Sequence, residues 1–145
     1  MADTVPVLIG TAGIVQGESF VLAPGTPVVI GRSRSCDISL RRTAGYLKAP
    51  SDERDVDHDF NTVSRRHARV EVADGSRARI EDLSTNGTFV NGDHLSGSTE
   101  VDLVQGVCAL RLGTRESFDL VLLPKDDPRL QGLQTVAPAP DSTED

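Results

Sequence analysis

Two Asn-Gly pairs, Asn86-Gly87 and Asn91-Gly92, punctuate the run from Ser84 to Gly92. An Asn-Gly pair supplies consecutive residues that tolerate positive φ, so each marks a tight turn. Turns this close together allow only a short strand between two exposed loop tips, and Thr88-Phe89-Val90 has the β-branched and aromatic character a strand favours. The same rhythm extends outward. In His67 to Val72, Ala68, Val70 and Val72 alternate with charged residues, as expected for one buried and one wet face. Asp74-Gly75 then turns the chain, and Arg77 to Glu81 alternates in return, predicting an antiparallel hairpin. Further strands are predicted at Val5 to Ile9, Ser19 to Leu22, Val28 to Gly31, Val107 to Leu112 and Ser117 to Leu123, the last two flanking a hairpin loop at Gly113 to Glu116. No sustained helical stripe and no internal repeat interrupts them. The pattern predicts an all-β fold, a sandwich of two antiparallel β-sheets.

Composition narrows what such a sandwich can do. The chain has 145 residues, enough to bury one core without disulfides or metals. It carries 22 Asp and Glu against 15 Lys and Arg, a net charge of −7, which argues against a general nucleic-acid binder. Met1-Ala2-Asp3-Thr4 lacks the basic and apolar regions of a secretory leader, and no run approaches membrane-spanning length, so a cytoplasmic protein without a membrane partner is expected. Cys36 and Cys108 are too few for a disulfide framework and are expected to be small strand residues.

Two stretches depart from the strand rhythm. Residues 41–61 contain few apolar residues and include the acidic run Ser51 to Asp59, so an extended loop is expected there. Residues 124–145 hold four prolines and close on Asp141-Ser142-Thr143-Glu144-Asp145. Such a segment buries too little apolar surface to offset its ordering entropy, which predicts one domain over 1–123 followed by a disordered tail or linker.

Three segments, in this order, carry a family resemblance: Gly31-Arg32-Ser33, Ser64-Arg65-Arg66-His67-Ala68, and Asp82 to Gly92. Together they resemble the forkhead-associated (FHA) domain family, over roughly Val5 to Leu123. The resemblance implies a binding site in the loops at one end of the sandwich and a phosphothreonine-dependent interaction module that recruits threonine-phosphorylated partners in signalling or assembly. A Ser/Thr kinase upstream follows from it. It assigns Arg32 to grip the phosphate, Ser64 to add a hydroxyl bond, Arg65 and Thr85 to contribute beside them, and Asn86 to hold the peptide main chain. Gly31, His67 and Gly87 become structural residues of the motif. The interval between Arg32 and Ser64 is longer than usual in the family, and the extra length falls in the 41–61 loop.

The chemistry suits a phosphate. A phosphothreonine carries about −1.5 to −2 charge and three acceptor oxygens, and the planar arginine fork donates two parallel hydrogen bonds without losing its charge. Arg32, Arg34, Arg41, Arg42, Arg65 and Arg66 concentrate positive charge beside two of the segments, so the local field opposes the net charge. The acidic run beside them is expected to favour Lys or Arg in the flanks of a bound peptide. Thr135 and Thr143, once phosphorylated, would offer tethered ligands for self-recognition.

Rival readings have less support. Asp55, Asp57 and Asp59 alternate as at the start of a calcium loop, but Phe60 stands where that loop needs glycine and Arg66 where it needs glutamate, so no metal is expected. Ser64 and His67 do not form a nucleophile and base, because at this spacing their side chains point to different faces, and no nucleophile-elbow, Walker or dinucleotide motif occurs. No catalysis and no cofactor are expected. The remaining alternative is a phosphate-independent scaffold that uses the sandwich surface or the 41–61 loop.

Overall fold

The computed structural model describes residues 4–48, 58–73, 77–131, 133, 135 and 136. The expected turn at Asp74-Gly75, residues 51–57 of the acidic run and Thr143 lie outside them. In chain order, β1 (Thr4–Ala12), β2 (Ser19–Leu22), β3 (Val28–Gly31) and β4 (Ile38–Ser39) precede two short helices, α1 (Ala44–Lys48) and α2 (His58–Asn61). Then follow β5 (Ala68–Val72), β6 (Arg77–Asp82), β7 (Thr88–Val90), β8 (Asp93–His94), β9 (Ser98–Asp102), β10 (Cys108–Leu112), β11 (Glu116–Pro124) and β12 (Thr135–Val136). One sheet has the order β12-β2-β1-β11-β10-β7-β8 and the other β4-β3-β5-β6-β9.

The expected sandwich is present, because alternation decides which side chains enter the space between the sheets. Ala68, Val70 and Val72 of β5 and Ala78 and Ile80 of β6 are buried, with Val70 opposite Ile80 across the predicted hairpin. Leu110, Leu112, Phe118 and Leu120 close the core from the facing sheet. Pairing is antiparallel except at two edges, β3 with β4 and β12 with β2, which run parallel.

Some expectations fail where local pattern is weak. β4, β8 and β9 went unread because they are short or polar, as edge strands tend to be. The two helices also went unread; at five and four residues they are too short to show a 3.6-residue stripe. The 41–61 segment is not a loop free of the core. Tyr46 and Phe60 are buried and stack with ring centroids 5.1 Å apart. Cys108 opens β10 as expected, whereas Cys36 sits in the loop before β4 and donates its thiol to the main-chain oxygen of Arg65 at 3.0 Å.

Part of the stretch expected as a tail is also placed. A 3₁₀ turn at Pro128–Leu130 leads to β12, and Leu130 and Leu133 pack on an outer apolar patch of Val7, Val21 and Leu123. This explains why Val7 and Leu8, adjacent in β1 and facing opposite sides, are both buried. Among the described residues, no helix is long and apolar enough to cross a membrane, and no group of three or more His, Cys, Asp or Glu could hold a metal ion.

Candidate functional site

The loops after β3, before β5 and after β6 meet at one end of the sandwich. Main-chain bonds tie them together: Arg32 N–H donates to Ser64 O at 3.1 Å, Ser33 N–H to Arg65 O at 3.0 Å and His67 N–H to Ile30 O at 2.9 Å. Gly31 makes this approach possible, because a Cβ there would lie 2.1 Å from the Arg65 carbonyl oxygen.

His67 is the peg of the assembly. It is 0% exposed. Its Nδ1 accepts the Ser64 N–H at 2.9 Å, so Nε2 carries the proton and donates to Gly87 O at 2.8 Å. Burial pushes its pKa below the ordinary 6.5, against the opposing pull of the Gly87 bond and the Asp82 charge. With both nitrogens committed, the ring has no lone pair left for the Ser64 hydroxyl.

Ser64 instead points to the third loop. Its Oγ accepts the Thr85 N–H at 3.0 Å, which leaves the hydroxyl hydrogen to donate outward. Behind Thr85, the carboxylate of Asp82 accepts from Ser84 N–H at 3.1 Å and from Thr88 Oγ1 at 2.8 Å, and Ser84 Oγ in turn accepts Gly87 N–H at 2.8 Å. Burial raises the Asp82 pKa, but these hydrogen bonds outweigh it and hold the carboxyl below its ordinary value.

The Asn86-Gly87 turn departs from expectation. Gly87 has φ of 108°, but the only non-glycine residue with positive φ among those described is Asn91, at 53°. Asn91-Gly92 therefore forms the two-residue hairpin between β7 and β8, with Val90 opposite Asp93. Asn86 is present for its side chain, which stands exposed and donates Nδ2 to Thr62 O at 3.0 Å.

Arg32, Ser64, Arg65, Arg66, Leu83 and Thr85 line one open depression at this end. Arg32 donates its Nε to the main-chain oxygen of Val63, which orients the guanidinium. Beneath it lies a feature the sequence reading missed: Phe60 presents its ring 6.0 Å from Arg32 Cζ, and Arg41 stacks 5.6 Å from the rings of both Phe60 and Tyr46 while donating to the Tyr46 hydroxyl at 2.8 Å. The two aromatics inside an otherwise polar stretch were the available signal. Of the expected site residues, Arg32, Ser64, Arg65 and Thr85 line the depression, whereas Asn86, next to Thr85 in sequence, is not among its lining residues.

Comparison with known proteins decides the family. Residues 28–113, more than half of the chain, match the model of the FHA domain. The chain belongs to the FHA domain family. Solved structures agree on the fold. The FHA domain of the CT664 protein from Chlamydia trachomatis shares 24% identity with a TM-score of 0.59, covering 81% of this chain and 96% of that one. The FHA domain of a hypothetical protein from Arabidopsis thaliana shares 21% identity with a TM-score of 0.63, covering 88% and 92%. An FHA domain studied for phosphothreonine-dependent interactions shares 25% identity with a TM-score of 0.58, covering 83% and 99%. None of the curated proteins matches the chain.

Proposed function

We propose that this FHA domain is a phosphothreonine-dependent interaction module. The observation that carries the reading is the meeting of Arg32, Ser64 and Thr85, distant in sequence, around one depression. Arg32 is the phosphate clamp. Ser64 donates its remaining hydroxyl hydrogen to a phosphate oxygen, Thr85 and Arg65 stand beside it, and Asn86 offers its amide oxygen and second N–H hydrogen to the main chain of the peptide. Gly31, His67 and Gly87 hold the loops. The module acts downstream of a Ser/Thr kinase, in signalling or assembly in the cytoplasm, and works by binding rather than catalysis. Self-recognition constrains the tail differently at its two threonines. Thr135 lies in β12, beside Val21 of β2, so its use as a ligand requires β12 to leave the sheet edge, whereas Thr143 lies outside the described residues.

The test is fluorescence anisotropy with matched peptide libraries. Phosphothreonine peptides are expected to bind with a micromolar Kd, about −8 kcal/mol, and phosphoserine versions more weakly. Equal binding of unphosphorylated peptides would replace this reading with the phosphate-independent scaffold.

A further inference from the structure

The loop before β5 turns two consecutive main-chain oxygens toward residues expected to meet a peptide. Val63 O accepts from Arg32 Nε, and Thr62 O accepts from Asn86 Nδ2 at 3.0 Å. The two carbonyls are held differently. A planar peptide joins the Val63 C=O to the Ser64 N–H, and that N–H donates to His67 Nδ1 at 2.9 Å, so the peg that braces the loops also fixes the acceptor for Arg32. The peptide that carries the Thr62 C=O is held by its own Val63 N–H, which donates to Phe60 O at 3.1 Å. Thr62 itself is gripped from a fourth loop, the turn between β10 and β11. Its Oγ1, on a buried residue, accepts the Thr114 N–H at 3.1 Å across 52 positions of sequence and lies 3.2 Å from the Thr114 hydroxyl oxygen. Gly113 lets the turn come this close, since a Cβ there would overlap the Thr62 hydroxyl, and its N–H donates to Gly87 O at 3.0 Å beside the His67 bond.

We propose that Thr62 is a positioning residue for phosphopeptide binding: the β10–β11 turn holds its side chain, and its main-chain oxygen aims Asn86 at the peptide. This rests on the phosphothreonine reading of the cradle. Asn86 is exposed, and an exposed side chain loses rotamer freedom when a ligand immobilises it. Anchored to Thr62 O, it gives up much of that freedom before the peptide arrives, while its amide oxygen and second N–H hydrogen still face outward. The β10–β11 turn lies outside the three segments that carry the family resemblance, and through Thr62 it contributes to affinity.

Thr62→Val keeps the shape of the side chain and removes its oxygen, whereas Thr62→Ser keeps the oxygen. The Kd of a phosphothreonine peptide is to be measured for both by anisotropy, alone and combined with Asn86→Ala. Thr62→Val is expected to weaken binding about two- to tenfold, the change that ordering one polar side chain costs, and Thr62→Ser should bind as the wild type does. With Asn86 already truncated, Thr62→Val should add little, because the two residues act as one unit. In the free protein the side-chain amide of Asn86 should be rigid by NMR relaxation and become mobile in Thr62→Val. Wild-type affinity in Thr62→Val, a loss that adds in full to that of Asn86→Ala, or a Thr62→Ser as weak as Thr62→Val each overturns the positioning role and leaves the phosphothreonine cradle standing. Should Thr62→Val not fold, a mobile Asn86 amide in the free wild type overturns the role and a rigid one supports it. Wild-type binding without dependence on the phosphate overturns both readings.

Discussion

Arg32 and His67 serve one site through opposite properties, the first by keeping its charge and the second by refusing one. Arg32→Ala should cost about 3 kcal/mol of phosphopeptide affinity, roughly a hundredfold, since each charge-assisted hydrogen bond contributes about 1.5–3 kcal/mol. The melting temperature should change less than the affinity, because the main-chain bond from Arg32 N–H to Ser64 O that ties the loops survives the truncation. His67 acts through stability. Unfolding returns the ring to its ordinary 6.5, so below that pH the unfolded chain takes up a proton that the folded chain resists, and stability falls as pH drops. Glu116, buried beneath the Ile14 N–H, has its carboxyl pushed up by burial and works in the other direction, its contribution fading as pH rises through its folded value. Denaturant midpoints at pH 7.5 and 5.5 are therefore to be compared between the wild type and His67→Gln. The variant should be less stable at pH 7.5 and lose less on acidification, and an unchanged pH slope would show that His67 does not carry the effect.

Among the elements, the segment between β4 and β5 changes most from its sequence reading. Expected as a polar loop, it places Phe60 and Tyr46 in the core and uses them as a floor for Arg32 and Arg41. Phe60→Ala should destabilise the fold by about 3–5 kcal/mol, the cost of a large core truncation. Phe60→Leu keeps most of the volume and should cost less than about 1.5 kcal/mol. This milder variant should still weaken phosphopeptide binding, because the ring beneath Arg32 is lost although Phe60 is buried. Full affinity in Phe60→Leu, measured by anisotropy on folded protein, would show that the Val63 carbonyl alone suffices to orient Arg32.

For the whole molecule, the cradle and the C-terminal segment belong to different parts of the sandwich. The cradle hangs from the ends of β3, β5 and β6, while Leu130 and Leu133 cover an outer patch on β1, β2 and β11. Removing residues 125–145 should lower stability by about 2 kcal/mol through exposure of that patch. Phosphopeptide affinity should remain at its full-length value where the truncated protein is folded. Thermal unfolding and anisotropy on the same sample separate the two effects, and a coupled loss of affinity would reveal communication between sheet edge and cradle.

The longer strands and the sandwich were legible in the chain because alternation and Asn-Gly turns are local signals, set by the sterics of a few consecutive residues, whereas the loop-end site was anticipated only through the resemblance that the Gly-Arg and Ser-x-x-His-Ala segments carry. Alternation on either side of Asp74-Gly75 was enough to mark β5 and β6 as a hairpin. What remained hidden depends on contacts across the fold. Nothing near Phe60 in sequence announces that its ring lies beneath Arg32, and nothing in Asn86-Gly87 distinguishes it from Asn91-Gly92. Only the Thr62 carbonyl, brought there by the loop before β5, recruits the Asn86 side chain while Asn91 takes the positive φ of a hairpin. The same holds for the C-terminal stretch, whose few leucines are too sparse to predict order and gain it only because the outer face of β1 and β11 offers them apolar surface.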